Sequence, residues 1–389
     1  MPLRIDHRLG AVVLMLVVAL SPNDCRAHDA SAWGGLFRTR DAGATWLPVN
    51  PASFVSGALA VAVSPVDRHH LLLATDTGVS RSRNGGRDWV VEARDVLVGP
   101  AFAATFDVDG DRALVGGASA IFRSDGVRWS PLRLPSGSAP PRALVSGAVR
   151  GRVYLAGGGG LHRSDDWGTS WIKMGDGIPA DVAGVVVPRG RPEQVYVRAG
   201  GRLWTSEDAG TNWTIRAHGL PATGVDVVAM DASVVDRLWS VAAGRVFRSD
   251  DNGQRWRPVG TPVPDAPVSA RAVTVVDQLI LMATDRGVYR SADDGRRWAL
   301  VTDNVPAHLG AEVLAPDPVS PRTIYAGFAL TSREELLRRA AEGRGPLGRL
   351  DVVNVAGGLA FLALQVLAST LVLRRVARTH YRVPRIVPR

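Results

Sequence analysis

Three observations predict an all-β chain folded as a seven-bladed β-propeller, closed by its N- and C-terminal strands and followed by one C-terminal transmembrane helix. Seven tryptophans recur at near-constant spacing, each interval holds about four short β-rich runs, and one long charge-free stretch lies near the C-terminus.

The tryptophans are Trp46, Trp89, Trp129, Trp171, Trp213, Trp256 and Trp298, separated by 43, 40, 42, 42, 43 and 42 residues. Such a period marks a supersecondary unit that cannot bury its apolar face alone and must stack on its neighbours. Each tryptophan closes a box of the form Ser/Thr-x-Asp-x-Gly-x-x-Trp. Asp41, Asn84, Asp166, Asp208, Asp251 and Asp293 hold the third position, and the copy with Asp125 is two residues short. These residue types make a tight turn: the carboxylate or amide accepts backbone N–H groups ahead of it, the glycine accepts positive φ, and the hydroxyl adds a second local bond. The indole then anchors the hairpin in apolar packing.

A short strand leads into each box, as at 35–38 and 287–290, and two further β-rich runs precede it, as at 58–63 with 71–74 and 182–187 with 195–198. Four strands in about 42 residues are a propeller blade. The 42 glycines and 25 prolines fit a chain of many short elements and argue against long helical bundles. After Trp298 come two more strands, 312–315 and 323–327, without a box, and before the first box there is one short strand alone. Pairing the two ends completes a seventh blade and removes free sheet edges, so the wheel is expected to run from 31 to 330.

Residues 1–27 read as a signal peptide: Arg4 and Arg8 precede an apolar run at 11–20, and the small residues Cys25 and Ala27 sit where a signal peptidase would cut. Cys25 is the only cysteine, so the chain forms no internal disulfide. Residues 331–351 are expected to be a linker with a short amphipathic helix at 332–341. From 352 to 373 the chain carries 22 residues without a formal charge, enough for roughly 33 Å of helix and one membrane crossing. The 374–389 tail holds six arginines and no acid, which places it in the cytoplasm and the wheel in the periplasm or outside, anchored to the inner membrane by a single pass. The flanks carry most of the net charge of +9, leaving 11–330 at +1. A nearly neutral wheel is not a nucleic-acid partner.

The boxes resemble the Asp-box (BNR) repeats of sialidases, sortilin-type receptors, some glucan hydrolases and photosystem II stability/assembly factor propellers. The resemblance covers the whole wheel. The seven-blade count and the Gly-Val-Phe/Tyr-Arg-Ser lead-in look most like the assembly-factor group. It implies that the boxes are architectural and remote from any catalytic centre, so they identify the fold and not the activity.

Any chemistry would therefore lie outside the boxes. A sialidase needs an arginine cluster, a tyrosine nucleophile and an acid/base aspartate, with an Arg-Ile-Pro-like motif ahead of the first box; Arg133-Leu134-Pro135 is the one near match and follows the third. Paired carboxylates of another glycosidase would come from different blades, and sequence spacing is silent on them. Asp181, Asp226 and Glu312 fall near the starts of innermost strands, where a central site would lie. With Arg142 and Arg271 they are the expected partner-binding residues, on the face opposite the boxes, where the loops 130–142 and 259–271 are long. Arg38, Arg81, Arg163, Arg248 and Arg290 recur eight residues before the box tryptophan, with Arg123 six residues before that of the short copy, as either a ring for an acidic partner or covers for their own blades. His69, His70, His162, His218 and His308 have no zinc-type spacing, and no metal or cofactor is expected. The expected function is a membrane-tethered scaffold or assembly factor binding a membrane or exported protein complex. The alternative is a glycoside hydrolase with a carboxylate and arginine site in the central depression.

Overall fold

Each repeat folds into one antiparallel four-stranded sheet. The computed structural model, which describes residues 34–49, 56–188, 190–231, 234, 236–343 and 370, contains seven of them. Blade I runs from axis to rim as Ala58–Val63, Leu71–Thr75, Gly78–Ser82 and Val90–Glu92. Blades II to VI repeat the plan from innermost strands at Ala101–Phe106, Ala143–Ser146, Val182–Val186, Val227–Met230 and Ala270–Val276. Blade VII is composite: Ala311–Pro316 and Ile324–Phe328 from one end of the wheel pair with Gly35–Thr39 and Leu47–Pro48 from the other, Gly35 opposite Phe328 and Thr39 opposite Ile324. The innermost strands touch one another in an unbroken ring, so the wheel closes.

Burial follows position in the blade. Second strands such as Leu71–Thr75 and Val153–Gly157 are buried throughout, because each lies between the sheets of two neighbours, and they read as continuous apolar runs. Rim strands such as Val90–Glu92 and Thr214–Ile215 are short and mostly exposed. Prolines in three of them, Pro48, Pro131 and Pro258, remove a donor from an otherwise open edge.

The box geometry repeats closely. In the fifth copy Ser206 Oγ accepts the N–H of Gly210 at 2.8 Å and donates to Asp208 Oδ1 at 2.7 Å, while that oxygen accepts the N–H of Asn212 at 2.8 Å. Ala209 and Gly210 both take positive φ, 56° and 97°, which folds the chain back within one turn. The same bonds recur around Thr39 and Asp41, Ser82 and Asn84, Ser164 and Asp166, Ser249 and Asp251, and Ser291 and Asp293. In the short copy Asp125 accepts from Val127 and Arg128 instead. Bonds from the Asn212 backbone, the Ser206 hydroxyl and the Asn212 amide hold the Asp208 carboxyl down at about 2. Burial pulls Asp41 and Asp166 upward, but the hydrogen bonds from Thr45 and Ser170 outweigh it and both also sit at about 2.

The indoles are less deeply anchored than expected. Trp46 and Trp256 are buried, whereas Trp89, Trp129, Trp171, Trp213 and Trp298 are half-buried. Several cap the turn through the indole N–H, as Trp213 does to the Gly210 carbonyl at 2.9 Å and Trp89 to the Val49 carbonyl of the preceding blade at 2.7 Å.

The recurring arginines form inter-blade staples. Arg38, Arg163 and Arg290 each donate to a backbone carbonyl just before the box glycine of the next blade, on Gly85 (2.6 Å), Ala209 (2.9 Å) and Ala42 (3.0 Å). Arg81 and Arg123 reach Ser124 and Thr169 of the following boxes. Where Thr205 breaks the series, Arg216, just after the rim strand, donates to the Asn252 carbonyl at 3.2 Å and does the same work. Arg248 departs from the pattern, bonding Asp250 and lying 5.8 Å over Trp239. These guanidinium groups are therefore spent on the frame and do not form a ring open to a partner.

After blade VII a helix, α1 (Arg333–Ala341), follows, with Ser332 Oγ accepting the N–H of Glu335 at its N-terminus. Glu334 and Glu335 in its first turn and Arg338 and Arg339 in its last complement the helix dipole. Among the described residues no helix is long and apolar enough to cross a membrane. The expected signal peptide at 1–27, the membrane helix at 352–373 and the basic tail at 374–389 lie outside the described residues, apart from Thr370.

Candidate functional site

The inner strands have two ends, and the chemistry gathers at one of them. Their starts face away from the boxes, and there five of the seven strands carry a register shift that leaves one residue out of the ladder: Leu59, Phe102, Ala183, Arg271 and Glu312. A bulge bends the strand and re-aims the extra side chain. Three apolar groups, a cation and an anion are thereby brought to the mouth of the central funnel.

All five expected partner-binding residues lie at this end, but in different states. Arg271 and Glu312 meet in a direct ion pair in which the Glu312 side chain is only 3% exposed. Arg142 is half-buried and its guanidinium donates to Glu334 of α1 at 3.2 Å. Asp226 is half-buried opposite Arg198, whose charge partly offsets the burial that raises the Asp226 pKa. Asp181 remains exposed, its carboxylate accepting the N–H of Gly200 at 3.1 Å. Burial also raises the pKa of Glu312 and lowers that of Arg198. The funnel is a set of opposed charges, each carboxyl facing an arginine.

α1 covers part of this funnel. Leu337, 1% exposed, packs with Leu59, Phe102 and Ala329, and Leu336 and Ala340 flank that contact. Arg333 is half-buried; its Nε donates to the Phe102 carbonyl at 3.1 Å, another guanidinium N–H donates to the Arg142 carbonyl, and Glu312 faces it. A cavity of about 110 Å³ lies between the inner strands of blades IV and V, lined by Ala183, Gly184, Tyr196, Arg198, Asp226 and Arg271.

The opposite mouth is apolar. Two adjoining cavities of about 460 and 550 Å³ share Val145 and Val187, and their walls include Ala62, Ala104, Val186, Met230 and Pro316. The acids there are tied: Asp231 accepts the Trp239 indole N–H at 2.9 Å, Asp317 the Val319 N–H at 2.8 Å, and Asp236 pairs with Arg191 at 2.6 Å. On that face the carboxylates of Asp107, Asp109 and Asp111 converge within 4.8 Å of one another. Arg112 pairs with buried Asp107, and Arg150 with Asp109 and Asp111, so the cluster already has its counter-charges.

Sequence reasoning missed Arg198, Arg333, Glu334 and Leu337. The signal for Arg198 was an arginine inside the otherwise apolar second strand Val195–Ala199. The helix carrying the other three was expected at 332–341 and stands at Arg333–Ala341, but nothing local signalled what it touches. The bulges had no signal, since Leu59, Phe102 and Glu312 share no residue type.

Neither a protein-family model nor a curated protein matches the chain. The fold is similar to that of a GH74 xyloglucanase from Xanthomonas campestris, with 19% identity, a TM-score of 0.57, and coverage of 71% of this chain and 51% of that one. The chain thus spans about half of the xyloglucanase. It is also similar to YCF48 from Cyanidioschyzon merolae (14% identity, TM-score 0.55, 71% of this chain and 96% of that one). A YCF48 bound to a D1 peptide is similar too (18% identity, TM-score 0.53, 71% and 93%). At these identities the likeness is one of fold: an all-β, seven-bladed propeller.

Proposed function

We propose that this chain is a membrane-tethered extracytoplasmic propeller of the Asp-box type that binds a segment of a membrane or exported protein, as a scaffold or assembly factor. In this reading residues 1–27 direct export, 352–373 form the anchor in the inner membrane, and the 374–389 tail stays in the cytoplasm. The observation that supports it is the state of the funnel: Glu312 is paired with Arg271 and 3% exposed, and opposed charges with an apolar wall surround it, the mixed chemistry of a polypeptide-binding surface. The similar YCF48 bound to a D1 peptide is a propeller that holds a peptide, and this chain is assigned the same kind of task.

A second reading, glycoside hydrolysis, is favoured by one feature: Asp226 and Glu312 both have raised pKa values, as a general acid requires. Purification of the intact protein from membranes after crosslinking tests the pair. The scaffold reading expects a stoichiometric membrane-protein partner and no turnover of a panel of xyloglucan and sialoside substrates. Turnover lost in Asp226→Asn, with no partner recovered, would replace it with the hydrolase.

A further inference from the structure

The contacts of α1 amount to a recognition code. The main anchors of the helix come from other blades: the carbonyls of Phe102 and Arg142 hold the Arg333 guanidinium, Glu312 adds to the counter-charge of Glu334, and Leu59 and Phe102 enclose Leu337 together with Ala329. Three of those wall residues, Leu59, Phe102 and Glu312, are the bulged residues of three different blades. A plain plug would need only the leucine. A guanidinium set between two carbonyls and a carboxylate adds direction and register, since a ligand lacking it leaves polar groups unpaired.

We infer that the funnel mouth is a receptor for a short helical segment presenting an arginine in its first turn and a leucine four residues later. α1 fills this seat in cis, and a partner protein carrying such a segment competes for it. The inference rests on the scaffold reading and specifies the partner's chemistry. Three features of the seat support exchange. At nine residues, α1 is shorter than a helix that holds its shape alone, so its fold depends on the wall it lies against. The contact closing one side, Arg142 with Glu334, is open to water, with side chains 39% and 65% exposed, and pairs of that kind contribute little. Along the same side a groove of about 550 Å³ runs between α1 and the wall at Ala139, Pro140 and Arg142. A segment joined to its seat by a short linker acts at an effective concentration of roughly millimolar, which an incoming segment must overcome.

The test uses the full chain and a fluorescent peptide matching residues 332–343. Binding is followed by anisotropy to wild type and to a chain whose seat is vacated by Arg333→Ala with Leu337→Ala. The vacated chain is expected to bind saturably and at least about tenfold more tightly than wild type. A peptide with alanine in place of the arginine, or Glu312→Gln added to the vacated chain, is expected to lose about tenfold. Equal binding by the two chains, or by the peptide without arginine, overturns the inference. Should the vacated chain not fold, hydrogen exchange on wild type decides: excess peptide must speed exchange of the α1 amides at 336–341 while leaving the second strands unchanged, and no acceleration overturns it. Peptide binding reports on the seat alone and membrane crosslinking on the native partner, so either can fail without the other.

Discussion

The two faces of this wheel are built on different principles. On the box face six boxes present one hydrogen-bond plan with distances that agree to a few tenths of an ångström, and six of the seven blade junctions carry an arginine bonded into the next box. On the other face no two blades offer the same side chain: the bulged positions hold Leu59, Phe102, Ala183, Arg271 and Glu312. Repetition makes the frame and its breach makes the site, because a ring of identical side chains cannot distinguish one direction of approach from another.

That contrast can be broken by experiment, starting where the effect is greatest. Trp46 is 1% exposed in the apolar cluster joining blades VI and VII, and Trp46→Ala is expected to cost about 3–5 kcal/mol in denaturant unfolding; half-buried Trp298→Ala should cost clearly less, and equal losses would show that all boxes are equivalent. Next comes the irregular face. Glu312→Ala leaves the Arg271 guanidinium without its carboxylate and should cost about 2–3 kcal/mol, whereas Asp181→Ala, at an exposed position, should stay within about 0.5 kcal/mol. Among the staples, Arg163→Ala should cost about 1.5 kcal/mol and Arg248→Ala, which bonds no neighbouring box, less than that; the reverse order would remove the staple from the account. The smallest effect is on the turns, where Ser206→Ala should cost about 1 kcal/mol.

Acid sharpens the same comparison. Asp41, Asp166, Asp208 and Asp293 are held at about 2 against an ordinary 3.8. A depressed carboxyl stabilises the fold above its unfolded pKa and loses that contribution as pH falls through the folded one. Unfolding midpoints should therefore be insensitive to these groups at pH 5 and drop between about pH 4 and pH 2. The raised pKa of Glu312 acts in the opposite sense, and Glu312→Gln should leave the acid limb of the curve in place.

The sequence made the frame legible for a physical reason. A tryptophan every 42 or so residues, with turn chemistry before it, reports a unit folded locally from adjacent residues, and the composite blade VII followed from counting strands at both ends. The funnel was half legible: strand starts could be located, so Arg142, Asp181, Asp226, Arg271 and Glu312 were expected at the end where they lie, but which of them meet depends on bulges set by packing between blades. Arg333 could not be read at all, since its partners at Phe102 and Arg142 lie 231 and 191 residues away. The arginine series was visible, yet its use as staples required knowing that the next box presents a bare carbonyl.

The composite blade sets the order of events during synthesis. Gly35 and Phe328 share a ladder, so the ring stays an open arc with two unsatisfied sheet edges until nearly all of its residues have left the ribosome. A chain stopped before Ile324–Phe328 lacks the strand that receives Gly35–Thr39 and would present adhesive edges to its neighbours, whereas a chain rejoined end to end and reopened between blades should still complete its circle.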